Sequence, residues 1–139
     1  MGLLNNLFGS KKSEKEVGLS ILLPLVDLSI AFMDKSSIFE DDESKYIAKF
    51  YYMGLCDAYC QSKQLDDFVF VDIVTEVLQS VGFDSDESRK ALFLFDADAG
   101  SQKSQKCLQE GAKDLRNFFS KDSMGLFGLK FLFKMKGSF

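Results

Sequence analysis

The residues best suited to chemistry in this chain are three cysteines and two short acidic runs. Cys56 and Cys60 stand one helical turn apart, a spacing that would place two thiolates on one face for a soft metal, with Cys107 as a third ligand. The chain contains no histidine, so a fourth ligand would have to be a carboxylate or water. Small core residues are therefore the preferred reading of all three cysteines. The missing histidine also excludes Ser-His-Asp and Cys-His catalysis and the usual mixed zinc sites. Asp96-Ala97-Asp98-Ala99-Gly100 opens like a calcium loop, but Ser101 stands where the loop needs its glycine and Cys107 where it needs a bidentate glutamate. It reads as a capped helix end. Asp84-Ser85-Asp86-Glu87 fails the same test at Phe95 and reads as a helix N-cap. There is no glycine-rich phosphate loop, and no serine is followed three residues later by lysine. The sequence thus predicts no catalytic, cofactor-binding or metal-ligating residues.

Helical periodicity dominates the elements that surround these residues. A first helix is expected from near Ser20 or Pro24 to about Lys35, apolar on most of its circumference and hence central. Glu40-Asp41-Asp42-Glu43 opens a second helix to about Ser62, with Tyr46, Ile47, Phe50, Tyr51, Gly54, Leu55 and Ala58 on a buried face. A third runs from Asp66-Asp67 to Gly82, a fourth from Ser85 to before Gly100, and a fifth from about Ser101 to Phe119. Phe68 to Val74 is β-rich in composition, but its acidic start and four-residue spacing favour helix. With 139 residues and 46% apolar content, the expectation is one all-α domain of five to six helices. That domain spans 20–121, preceded by a stub and charged linker at 1–19 and followed by a basic aromatic segment at 122–139.

Charge is sorted along the chain. Residues 21–112 hold eight Lys or Arg against seventeen Asp or Glu, whereas 113–139 hold six against two. The basic end is also rich in phenylalanine, which marks a segment that docks on its own body, a second copy, a partner or a lipid surface. Phe127, Lys130, Phe131, Phe133 and Lys134 are the candidate interaction residues. In period two, Leu129, Phe131, Phe133 and Met135 share one face and Lys130, Lys134 and Lys136 the other, with Leu132 misplaced. As a helix, Lys130 and Lys134 align but Lys136 falls nearly opposite Lys134. The extended form fits slightly better, although a lone strand needs a partner edge that the chain does not obviously supply.

No basic stripe spans the acidic body, which argues against nucleic acid. The odd cysteine count and the lack of a secretory segment argue for reduced thiols in the cytoplasm. The longest apolar run, Ile21 to Met33, is short of a membrane span and contains Pro24 and Asp27. Asn6 stands where N-myristoylation needs Ser or Thr.

From Phe50 to Gly100 the layout resembles the helical core of TerB-like domains, including the helical region of membrane-anchored J-domain co-chaperones. The pieces that carry the resemblance are Ala58 to Leu65, Asp66 to Ser80, Val81-Gly82-Phe83, and Ser85 to Gly100. The family's turn holds an Asp-Gly pair where acidic residues can gather a divalent ion, and here that turn reads Cys60-Gln61-Ser62-Lys63-Gln64. Asp66 and Asp67 match the acidic positions beyond it. The resemblance implies a bacterial, cytoplasmic, stress-linked or membrane-proximal interaction domain. The sequence therefore reads as a non-enzymatic helical interaction module without a cofactor, whose partner is a protein or a second copy, with weak peripheral membrane contact also open. The alternatives are a small acidic inhibitor or immunity-type protein covering a basic target and, third, a divalent-metal-binding stress protein.

Overall fold

Each long helix in the computed structural model starts at a Ser or Asp whose side chain accepts the backbone N–H three residues on, satisfying a donor that the helix itself leaves unpaired. Ser13 takes Glu16 N–H at 3.1 Å to open α1, Glu14–Ile30. Asp41 takes Ser44 N–H at 2.8 Å before α2, Asp42–Ser62, and Asp66 takes Val69 N–H at 3.0 Å before α3, Asp67–Val81. Asp84 takes Glu87 N–H at 2.7 Å before α4, Ser85–Asp98, and Ser101 takes Ser104 N–H at 3.1 Å before α5, Gln102–Ser120. A short α6, Gly128–Lys134, closes the chain, and a 3-10 turn, Lys35–Phe39, joins α1 to α2. The structure describes residues 13–31, 33–98, 100–120 and 126–138, and among them there is no strand. The β-rich stretch Phe68 to Val74 is helical, as its capped start requires.

Three expectations need correction. The first helix begins at Glu14, so the charged residues assigned to a linker form its first turns, with Glu14 and Glu16 at the favourable end of the helix dipole. Pro24 falls inside this helix rather than at its start. It is tolerated because Pro24 and Ser20, whose carbonyl loses its helical donor, both face solvent. The helix stops at Ile30, short of Lys35, because Asp34 accepts Ser36 N–H at 3.0 Å and opens the 3-10 turn. Centrality belongs to α2 and not to α1: twelve of its 21 residues are buried, against five of 17 in α1. Finally, the basic tail is helical. A short helix needs no sheet edge, since Phe131 N–H already bonds back to Phe127 O at 2.9 Å, and its inner face packs on α2, α5 and α1. Residues 1–12 and 121–125, including most of the stub, lie outside the described residues.

The largest interface is α2 on α5, and two glycines make it possible. A Cβ on Gly54 would overlap the Leu108 carbonyl and lie 2.8 Å from Leu108 Cα, and one on Gly111 would overlap the Tyr51 carbonyl and lie 2.7 Å from Leu55 N. The neighbouring atoms are backbone, so neither crowding can be relieved by turning a side chain. On the remaining sides α2 is covered by Leu22, Leu25 and Val26 of α1 and by Ile73, Val74, Val77 and Leu78 of α3. At the end of α3, Gly82 takes φ 130° and Phe83 N–H bonds back to Leu78 O at 3.1 Å, which turns the chain into α4.

Alanine at an ordinary helical glycine would gain about 1 kcal/mol of helix propensity. Here the overlap dominates, and Gly54→Ala and Gly111→Ala should each destabilise the protein by about 1–3 kcal/mol or more in urea unfolding. Unchanged or raised stability in either variant would mean that α2 and α5 do not depend on backbone contact.

Candidate functional site

The tail is held by its inner face. Leu126, Leu129 and Leu132, spaced three apart, are 1% exposed or less and join the core cluster. At the entry to α6, Asp114 of α5 accepts two hydrogen bonds on one oxygen, from Tyr51 Oη at 2.6 Å and from Gly128 N–H at 2.8 Å. Burial of the Asp114 carboxyl raises its pKa, partly offset by these two donors. Burial likewise pushes the Tyr51 phenol well up, reinforced by the neighbouring Asp114 charge, so Tyr51 remains the donor. Gly128 is required beside Asp114, since a Cβ there would come within 2.6 Å of the accepting oxygen.

Past α6 the chain is tied to the start of α2. Lys136 Nζ donates to Asp41 Oδ2 at 2.7 Å and to Ser44 Oγ at 3.0 Å, with Glu40 Oε2 at 3.8 Å. Gly137 N–H donates to Glu43 Oε1 at 3.1 Å, and Lys103 of α5 reaches the same oxygen at 3.3 Å. The Lys136 hydrogen bond is the largest cause holding the Asp41 carboxyl down at about 2, with the capping bonds from Ser44 next. Asp41 therefore caps α2 and anchors the tail with one carboxylate.

Of the five tail residues singled out by type, four share the outward face of α6. Phe127, Lys130, Phe131 and Lys134 recur at helical steps and are exposed, the two rings by 47% and 44%. Phe133 turns partly inward and packs against the core. An extended tail would instead have placed Phe131 and Phe133 together and opposite the lysines. α6 forms a ridge with a groove on each flank. One, of about 350 Å³, lies against α5 and is lined by Lys106, Glu110, Lys113, Asp114, Phe127 and Phe131 among others. The other, of about 310 Å³, faces the 3-10 turn and is lined by Met33, Ser37, Lys130, Phe133 and Lys134 among others. Lys106 Nζ stands 5.3 Å from the Phe131 ring centre and 3.1 Å from Glu110 Oε1. Lys113, Lys130 and Lys134 make no ion pair among the described residues.

The other candidate groups take structural places. Cys56, Cys60 and Cys107 are all buried and unbridged, and burial raises the Cys56 thiol far above its ordinary value, Cys60 to about 11 and Cys107 to about 12. Such thiols are poor thiolate donors at neutral pH. Asp98 accepts the Tyr46 hydroxyl, while Ser104 Oγ donates to Asp98 O at 2.6 Å. The calcium-like run is thus the α4–α5 corner, pinned to α2. Among the described residues no helix is long and apolar enough to cross a membrane. Tyr51 and Asp114 were beyond sequence reasoning, since they stand 63 residues apart with no shared motif. The three-residue spacing of Leu126, Leu129 and Leu132 was a legible helical signal, overshadowed by the alternation of Phe and Lys around it.

No protein-family model, no curated protein and no solved structure matches this chain. What the fold and this surface define is an all-α bundle whose last helix is fixed by its inner face and presents aromatic and basic residues on its outer one.

Asp114→Ala leaves the Tyr51 hydroxyl and Gly128 N–H without an acceptor and should cost about 3 kcal/mol in urea unfolding. Asp114→Asn can offer its carbonyl oxygen to both donors and removes a buried charge, so its stability at pH 7 should equal or exceed the parent's. A large loss in both variants would show that the charge itself is needed.

The Asp41 latch has a defined pH window. Its folded pKa lies below the unfolded value, so its stabilisation is fully present above the unfolded pKa of 3.8 and is lost as pH falls through about 2. Lys136→Met should accordingly lower the unfolding midpoint at pH 7 and have little effect at about pH 1, where the Asp41 carboxyl is protonated in both states. Because the pair is exposed, the difference at pH 7 should also shrink in high salt. A full difference that persists at about pH 1 would assign the effect of Lys136 to its aliphatic stem instead.

Proposed function

We propose that this chain is a non-enzymatic cytoplasmic helical interaction module, stress-linked or membrane-proximal in the manner the TerB-like resemblance implies, that meets its partner through the outer face of α6. The observation that carries the reading is the division of labour within one short helix. Leu129 and Leu132 are fully buried and supply the anchorage, while Phe131 remains 44% exposed beside Lys130 and Lys134. A segment needed only to complete the core has no use for a second apolar face, and half-exposed Phe127 and Phe131 one turn apart with lysines beside them have the aromatic and basic character of a contact surface. The non-enzymatic part rests on the sequence, which offers no histidine and no nucleophile motif.

A photoreactive benzoylphenylalanine in place of Phe131 tests this in cells, with the same residue at Phe93 of α4, itself 76% exposed, as the comparison. Discrete adducts are expected at position 131 and not at 93, their masses resolving a protein, a second copy of the chain or a lipid. They should fade when Lys130 and Lys134 are changed to Glu. Adducts of equal yield at both positions, or none at 131, would remove the reading. Adducts at 93 alone would favour the acidic side of the body covering a basic target.

A further inference from the structure

Resting on that reading of α6, we infer that its outer face docks on an anionic lipid surface. The ridge carries Phe127 and Phe131 at its crest, with Lys130 and Lys134 beside them and Lys113 across the flanking groove on α5. These three cations have no ion pair among the described residues, in contrast to Lys136, which is engaged by Asp41 and is not available. Lysine stems can lie along the aromatic rings while their ammonium groups stay at headgroup level, and the rings enter the acyl boundary.

Two features favour a bilayer over an acidic protein. A convex apolar crest between two grooves needs a partner that is either concave to match or deformable, and a lipid interface requires no prior shape. Charge also favours this side: residues 21–112 carry nine more acidic than basic groups, whereas the α6 crest carries Lys130 and Lys134 with Lys113 across the groove, against Glu110, Asp114 and Glu40 in the flanking grooves. One short segment with two rings binds weakly and reversibly, and needs the anionic charge to do so.

The chain contains no tryptophan, so Phe131→Trp in the full-length protein is a single fluorescent reporter. Its emission should shift to the blue, and be quenched by brominated acyl chains, on vesicles made of equal parts phosphatidylcholine and phosphatidylglycerol. Vesicles of phosphatidylcholine alone should leave it unchanged. Phe68→Trp, at a position 82% exposed on α3, should respond to neither. Changing Lys130 and Lys134 to Glu in the reporter should weaken vesicle partition by about twentyfold or more, as should raising the salt well above physiological strength. These four positions are exposed, and an unchanged helical spectrum and melting midpoint will show that the variants remain folded. No shift on anionic vesicles, a shift without brominated-lipid quenching, or partition indifferent to the lysine changes would overturn the inference. If protein adducts still form at position 131 in cells while vesicles fail, an acidic protein is the partner and the contact face stands. If both fail, so does that face.

Discussion

Backbone contact between α2 and α5 at Gly54 and Gly111 is the constraint on which the rest of the structure depends. Helices that touch through side chains usually keep 8–10 Å between axes, and these two approach until the peptide groups meet. The approach sets the positions of everything on the facing sides. Tyr51 lies one turn before Gly54 and its carbonyl is the atom that Gly111 must avoid, while Asp114 lies one turn after Gly111. The same crossing therefore brings the Tyr51 hydroxyl to the Asp114 carboxylate, and that carboxylate receives the first N–H of α6.

The tail is thus positioned by a chain of short-range contacts that begins at a glycine pair in another part of the fold. Three leucines supply the apolar burial and one buried carboxylate the direction, after which Lys136 ties the end to the cap of α2. A helix held so firmly on one side can present apolar residues on the other without collapsing onto the body. The Phe/Lys face is consequently borne by a helix anchored along its opposite side.

Electrostatics divides the molecule in a complementary way. Aspartates are spent as helix caps at Asp41, Asp66 and Asp84, where they satisfy backbone donors and oppose the helix dipole favourably. The corner at Asp98 and Ser101 uses polar side chains in the same manner, to bind Tyr46 and to start α5. Acidic groups that suggested metal chemistry are engaged in holding helix ends and in joining α4 and α5 to α2. Lysines gather around α6 by contrast, and Lys130 and Lys134 on its outer face make no ion pair among the described residues.

By itself the sequence determined α2 to α5 and their polar starts, because both are local: an acidic or serine start, a glycine at the end of α3, and apolar residues at three- and four-residue steps in α2 and α3 are all written within one or two turns, whereas the start of α1 at Ser13 lies in a charged run with no apolar periodicity to mark it. It also marked Phe127, Lys130, Phe131 and Lys134 by type, and it placed the cysteines in the core. Tertiary structure alone decided which helix is central, since burial of α2 depends on the closeness of α5 and not on the apolar count of either helix. It also decided the state of the tail, where alternation and helical period competed over a few residues and only the pocket receiving Leu126, Leu129 and Leu132 could choose between them. The Tyr51–Asp114–Gly128 junction belongs wholly to that level, because three groups far apart in the chain acquire a shared hydrogen-bonding problem only once the backbones of α2 and α5 have met.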